Sequence, residues 1–425
     1  VKPLPLALYG AATRLLEPLA PQVLQARARR GKEDPARLAE RLGRAAAPRP
    51  PGPLVWLHGV SVGESASLLP LVAALRRRRP DLTVLVTSGT VTSAQVLARR
   101  LPPGVIHQFA PVDAPGAVAR FLDHWRPGLA VLVESELWPN LILAAKERGV
   151  RLALASARMT EASAAGWARA PASARALLGA FDAVLPQDDA TAARLARLGA
   201  RTGPHLNLKR AGDPLPCDAA ELERLRGLLA GRPVVLAAST HPGEEPILAA
   251  AVRAAAPDAL TIIAPRHPER GGALAAELAA PRRGAGELPK PDDALYVADT
   301  LGELGLFFRL ADVVVMGGSF RPGIGGHNPL EPARLGCAIL TGPHVFNAAD
   351  LYAEMSDAGA AIVLTGPDAL QAELRRLLGA APTRETPPRE TPTREGLGRA
   401  ALAYAERQGA QLDAALAVLD PLLPA

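Results

Sequence analysis

Carboxylates, small hydroxyls and glycines concentrate in a few short stretches of this chain, and their spacing suits transfer chemistry on a phosphate-bearing ligand. HGVSVGES (58–65) sets glycines, serines and Glu64 at the opening of a helix, so backbone N–H groups and one carboxylate face the same way. Beside an acceptor hydroxyl, Glu64 would suit a general base. Its spacing alone favours the plainer role of a first-turn acid stabilised by the helix dipole. VESELWPN (133–140) ends another apolar run. On a regular strand Glu134 and Glu136 point oppositely, which predicts one facing a ligand and the other solvated. Pro139 then stands at an early helical position, where its missing N–H costs nothing.

Further along, STHPGEE (239–245) and PRHPER (265–270) close two more apolar runs, and Arg266 with His267 could hold a phosphate or a base edge. DTLGEL (299–304) reads as a helix opening, either an anion-binding N-terminus or an ordinary N-cap. GGSFRPGIGGHNPLEPA (317–333) joins a glycine-rich turn, where backbone can approach a ligand closely, to Asn328-Pro329-Leu330-Glu331. Placed one turn into a helix, Glu331 could accept from both hydroxyls of a ribose. The turn is not a classical dinucleotide fingerprint.

These stretches all follow short β-branched runs that alternate with Ala/Leu/Arg segments of helical period. The first series is 54–58, 82–88, 105–109, 129–135, 151–156 and 182–186; the second is 233–239, 259–265, 294–298, 312–319, 337–342 and 360–366. Continuous apolar runs between helices predict parallel sheets covered on both faces. The polar stretches then fall at the carboxyl ends of strands, where open α/β sheets bind ligands. Between the two series, GPHLNLKRAGDPLPCD (203–218) is rich in Pro and Gly and lacks periodicity, which marks a domain boundary. The fold class expected is α/β, with two doubly wound Rossmann-like domains facing a central cleft in a GT-B arrangement. GAAPTRETPPRETPTR (380–395) is expected to be a solvated loop, followed by a helix over about 396–424.

Composition narrows the function classes. Of 425 residues, 48% are hydrophobic and 21% charged, which excludes wholesale disorder. Two cysteines, Cys217 and Cys337, cannot form a disulfide framework or a cysteine-rich zinc site. The net charge of +6 is weak support for nucleic acid, because the arginines are scattered and only 4% of residues are aromatic. No run of 18 apolar residues occurs. Residues 3–24 come closest, but Arg14, Glu17 and prolines interrupt them, and ARARRGK (26–32) follows. Such a segment suits either a helix lying on an anionic membrane surface or an ordinary N-terminal helix packed on the protein body. It does not suit a cleavable signal.

Taken together, SVGES, ESELWPN, LNLKR, STHPGEE, PRHPER, DTLGEL, GGHNPLEPA and GPHVFN (342–347) resemble, in order and over residues 54–350, the 3-deoxy-D-manno-octulosonic acid (Kdo) transferases of lipopolysaccharide synthesis. The resemblance implies a metal-independent, inverting GT-B glycosyltransferase with no cofactor. It would move Kdo from CMP-Kdo to a lipid A precursor at the cytoplasmic face of the Gram-negative inner membrane; the composition of the N-terminal segment would attach this chain there peripherally or anchor it weakly. Glu64 would deprotonate the acceptor hydroxyl, and Glu134 and Lys209 would stabilise the transition state. CMP would fall to Pro265 and Arg266, to Leu301, Gly302 and Glu303, and to Asn328, Pro329, Leu330 and Glu331. The implied division is a membrane-associating segment (1–50), an acceptor-binding domain (51–205), a CMP-sugar-binding domain (206–395) and a C-terminal helix (396–425).

The chain departs from the family pattern at its interrupted N-terminal segment and in the turn before Lys209. It departs again in RPGIGG, one residue longer than usual, and in 380–395. The competing readings are a UDP-sugar transferase or epimerase of the same fold, and a non-catalytic, membrane-peripheral nucleotide-binding scaffold. Neither accounts for SVGES together with ESELWPN and Lys209.

Overall fold

The computed structural model describes residues 2–379 and 392–425. It divides into two compact units, one of residues 1–212 and 408–425, the other of residues 213–407. All twelve expected strands form. In the first unit they are β1 (Leu54–His58), β2 (Thr83–Ser88), β3 (Ile106–Phe109), β4 (Leu129–Val133), β5 (Arg151–Ala157) and β6 (Ala183–Pro186). In the second they are β7 (Val234–Thr240), β8 (Leu260–Pro265), β9 (Leu295–Val297), β10 (Val313–Met316), β11 (Ala338–Thr341) and β12 (Ile362–Val363).

Each sheet is wholly parallel, in the orders β3-β2-β1-β4-β5-β6 and β12-β11-β10-β7-β8-β9. Counted from its own first strand, each is the doubly wound order 3-2-1-4-5-6, with its switch point between β1 and β4, or between β7 and β10. Alternate residues of one strand supply opposite cores: Leu54 and Trp56 pack with Phe121 and Trp125, while Val55 and Leu57 pack with Leu68 and Leu71. Burial on both faces is why these strands read as unbroken apolar runs. At roughly 1.5–3 kcal/mol for each fully buried large apolar side chain, both layers matter to stability.

The unit boundary falls inside 203–218, as expected, but seven residues later than the division at 205/206. Leu206 and Leu208 are buried in the first unit's core, and the Leu206 N–H donates to the Pro186 carbonyl at 2.9 Å, so Lys209 stays with the first unit. Nor are the terminal segments separate bodies. Helix Leu4–Leu16 contributes Leu6 to the first core, and the Tyr9 hydroxyl donates to Asp113 at 3.0 Å. Asp113 also accepts from the N–H groups of Asn140 and Leu141, capping the helix that follows VESELW. The last helix, Arg394–Leu419, packs Leu397, Ala401 and Tyr404 into the second unit and Leu416 and Leu419 into the first. Residues 380–391 of the expected loop lie outside the described residues, and Arg394 and Glu395 already belong to that helix.

One half-buried titratable group makes a prediction about stability. His107 on β3 accepts from the Arg37 guanidinium at Nδ1 (3.3 Å), which leaves Nε2–H for the Ser88 hydroxyl at 2.9 Å. Burial, then the charge of Arg37, pushes its pKa down to about 4. The unfolded chain therefore binds more protons at this site between pH 6.5 and 4. The contribution is complete above about pH 6.5 and is lost as pH falls through 4. Chemical unfolding should show His107 costing on the order of 1–3 kcal/mol at pH 4 relative to pH 7. The slope should flatten in His107→Gln, whose amide keeps both contacts.

Candidate functional site

At the first unit's switch point, Glu64 falls at the third position of the helix Val62–Arg78. Ser61 caps it: the Glu64 N–H donates to the Ser61 hydroxyl oxygen (3.3 Å), and that hydroxyl donates to Glu64 Oε1 (2.7 Å). Glu64 Oε2 accepts from the backbone N–H of Val60 (2.8 Å) and of Ser61 (3.4 Å). This is a complete capping box, so the plain structural role of Glu64 is present. The same bonds orient the carboxylate, and Oε1, with a single donor, keeps acceptor capacity for an incoming hydroxyl.

β4 ends at Val133, and Glu134 adopts a left-handed backbone with φ of 58°. That conformation is strained for a residue with a Cβ, and strain of this kind clusters at functional sites. Glu134 is buried, and its Oε1 meets Lys209 Nζ at 2.5 Å. Because the strand has already ended, alternation does not decide where the glutamates point, and Glu136 is not solvated. Its Oε2 accepts from the Trp138 indole and lies 3.7 Å from Nε2 of the buried His58. The Glu136 carboxylate, which can only accept, places the His58 proton on Nε2 and leaves Nδ1 to accept from the Thr87 hydroxyl at 2.8 Å, whose oxygen in turn accepts from Trp56 Nε1.

Lys209 reaches Glu134 from a turn between buried anchors. Leu206 and Leu208 point into the core, the Leu208 N–H donates to Ser156 Oγ (3.3 Å), and the Lys209 N–H donates to Asn207 Oδ1 (3.2 Å). A methyl group on Gly63, the residue before Glu64, would lie 3.8 Å from Lys209 Cε. The lysine thus runs past the opening of the Glu64 helix, and the structure brings the three expected catalytic residues to one switch point.

In the second unit, Pro265 ends β8 buried and Arg266 is exposed, its N–H donating to the Thr240 carbonyl at 2.9 Å. Asn328 Oδ1 accepts from the Leu330 N–H (3.1 Å) at the start of the single turn Leu330–Ala333, and Glu331 stands second in this four-residue helix rather than a full turn into a longer one. Pro329 and Leu330 are buried beneath it. DTLGEL differs from expectation. Asp299 does not cap the following helix; it accepts from Arg282 (3.2 Å) and from the Gly284 N–H (2.6 Å). Glu303 is committed to Arg283 through contacts of 2.6 and 3.0 Å and to the Thr300 hydroxyl, and the arginine's hydrogen bonds hold its carboxyl below the usual range. Leu301, 86% exposed, and Gly302 leave the backbone, not the glutamate, open to a ligand.

Residues 36–210 match the family described as 3-Deoxy-D-manno-octulosonic-acid transferase (kdotransferase). The 3-deoxy-D-manno-octulosonic acid transferase of Bordetella pertussis is 38% identical over 85% of this chain and 88% of its own length. That of Rickettsia bellii is 34% identical over 89% of this chain and 92% of its own. The chain belongs to the Kdo transferase family. Among solved structures, MurG of Acinetobacter baumannii is 12% identical over 86% of this chain and 99% of its own, with a TM-score of 0.52, a likeness in fold. With the two parallel six-stranded sheets, it shows that this family member has the GT-B fold.

Three features of this Kdo transferase family member escaped the sequence reading. Glu244, wholly buried, accepts from four backbone N–H groups: His241 (3.0 Å), Gly318 (2.7 Å), Ser319 (2.9 Å) and Phe320 (2.8 Å). It occupies the backbone nest that a glycine-rich turn would otherwise offer an anion. GPHVFN pins the other side of that loop: the His344 N–H donates to the Ser319 carbonyl and the Asn347 N–H to the Gly325 carbonyl. His58 and the pair His241–His327 are the other two. Each stood inside a quoted motif, but its partners come from other strands, and no spacing signals them. Among the described residues no group of three or more His, Cys, Asp or Glu side chains is arranged to hold a metal.

Proposed function

We propose that this chain is an inverting transferase that moves Kdo from CMP-Kdo to a sugar hydroxyl of a lipid A precursor. The observation that carries the reading is the Lys209–Glu134 ion pair, built on a strained strand end beside the capped Glu64 helix in a member of this family. Glu64 takes the proton of the acceptor hydroxyl as its oxygen bonds to the anomeric carbon of Kdo. The bond from that carbon to the phosphate oxygen breaks, and CMP leaves with the electron pair. Lys209, oriented by Glu134, offsets negative charge on the sugar carboxylate and the departing phosphate, and a preorganised cation does so without reorganisation.

For the donor, Arg266 and the backbone at Leu301–Gly302 would take phosphate and base, and Glu331 the ribose hydroxyls. Glu331→Ala should weaken CMP binding by about 1–3 kcal/mol through lost charge-assisted hydrogen bonds, as read by calorimetry. Preference for UDP over CMP in the same titration would overturn the donor assignment. The transfer itself is tested with purified protein, CMP-Kdo generated in situ, a lipid A precursor and mass spectrometry of the lipid; an unmodified lipid would reject it.

The acceptor's location motivates a peripheral attachment at the cytoplasmic face of the inner membrane. Leu4, Leu8, Leu15, Leu16, Leu19 and Val23 are exposed along the N-terminal helices, followed by exposed Arg29, Arg30 and Lys32, while Arg27 pairs with buried Glu33 at 2.8 Å. An apolar face with a basic end suits an anionic surface. Among the described residues no helix is long and apolar enough to cross a membrane. Changing Leu8, Leu15 and Leu19 to Ser should reduce sedimentation with anionic vesicles at least about tenfold, and raised salt should weaken the parent protein's binding. Undiminished binding of the variant would reject this face as the attachment surface.

A further inference from the structure

We propose that His241 and His327 act as one proton-binding pair that, with Arg266, receives the donor phosphate and stabilises it as it leaves; this rests on the CMP-donor reading above. His241 follows β7 and His327 follows β10, the adjacent strands at which the second unit's order reverses. Ligands of doubly wound sheets bind at that point. The two rings are nearly parallel, 7° apart with centroids at 5.1 Å, and their Nε2 atoms are 2.9 Å apart.

At that separation one Nε2 must carry a proton and the other must accept it, because two N–H groups or two lone pairs would repel. The neutral pair then has one Nδ1–H and one bare Nδ1. Adding a single proton turns both Nδ1 atoms into donors, whereas a doubly charged pair is excluded by the contact itself.

Both rings are held in place. The His241 N–H donates to Glu244, the Tyr352 hydroxyl donates to the His327 carbonyl at 2.9 Å, and a side chain on Gly318 (φ of 69°) would strike His327 Nε2 at 2.9 Å. The charged surroundings are mostly cationic. Arg266 and His267 face the pair from the end of β8, with His267 edge-on to His241 at 6.0 Å and 3.4 Å from Glu269. Arg270 is bound to Glu245 at 3.0 Å, and Arg321 donates to the Pro242 carbonyl. Glu244 is the facing carboxylate, and backbone N–H groups occupy both its oxygens. Burial, then the neighbouring cationic groups, pushes His327 down to about 4, and burial chiefly lowers His241. The donor's singly charged phosphate diester beside the pair favours its protonated form, and the dianionic CMP formed on cleavage favours it more.

The step balances without a further reactant. As the bond between the sugar's anomeric carbon and the phosphate oxygen breaks, the electron pair stays on that oxygen. The protonated pair donates a hydrogen bond to it, and the proton taken up on binding returns to solvent when CMP departs. The acceptor's proton goes separately to Glu64.

Calorimetry on the full chain at pH 7.5, where free CMP is almost fully dianionic, in buffers of different ionisation enthalpy tests the idea. CMP should bind with uptake of close to one proton, and cytidine with none. His327→Gln and His241→Gln should each abolish the uptake and weaken CMP roughly tenfold, leaving cytidine binding unchanged. Their unfolding midpoints identify a variant that fails to fold. CMP binding without proton uptake, or uptake that survives both substitutions, would overturn the pair's role and leave the donor reading standing. Failure of CMP to bind the unaltered protein would instead reject the donor reading.

Discussion

Replacing Glu64 by Gln should lower turnover by about 10²–10⁴-fold while leaving the fold and CMP binding intact. The substitution is informative because Glu64 has two roles. As the third residue of its helix it closes a capping box with Ser61, and Gln satisfies the same backbone donors through its amide oxygen. What Gln cannot do is take a proton from an acceptor hydroxyl. Glu64→Ala removes both functions and should add a stability loss of roughly 0.5–2 kcal/mol on the scale of capping losses. Initial rates with CMP-Kdo and lipid acceptor, set beside thermal unfolding, separate the roles. A Gln variant turning over at near the normal rate would falsify the base assignment and move the search to Glu134. Glu136→Gln, which alters only the contacts with His58 and Trp138, should cost much less.

Lys209→Met and Glu134→Gln should each reduce turnover by at least about 10²-fold, and the double variant should be little worse than either. The two side chains form one contact at 2.5 Å, with the lysine half exposed and the glutamate side chain 9% exposed. Removing the cation leaves a buried carboxylate without its ion-pair partner, and removing the carboxylate leaves the lysine free to leave its position. Glu134→Gly checks that the loss is not unfolding, since glycine takes a φ of 58° without steric cost. It should lose activity while relieving backbone strain. Strictly multiplicative losses in the double variant would mean that the residues act independently, contrary to the geometry.

Much of the architecture was legible in the residue pattern. All twelve strands stand where unbroken apolar runs predict them, because helices bury both faces of a parallel strand and leave no room for polar alternation. The runs overreach at 134–135, where Glu134 turns left-handed, at 317–319, where β10 gives way to the loop bound by Glu244, and at 360–366, where the strand is Ile362–Val363 alone. The unit boundary falls within the expected stretch 203–218, but its exact place was not legible. A Pro/Gly-rich stretch looks like a linker whether or not two leucines within it, Leu206 and Leu208, are buried.

The amino-acid sequence by itself determined the fold class, the family, the placing of Glu134 and Arg266 at strand ends and that of Glu64 and Glu331 in helix openings, since these follow from local periodicity and from motifs contiguous in the chain. Only the tertiary structure decided which groups meet. It joined Lys209 to Glu134 across 75 positions, committed Glu303 to Arg283, gave Glu244 to the backbone of a loop 74 residues away, and set His241 against His327. The physical reason is that a doubly wound sheet places strands distant in sequence side by side. The partner of a polar side chain at a switch point is therefore chosen by strand order and register, and short spacings carry no record of either.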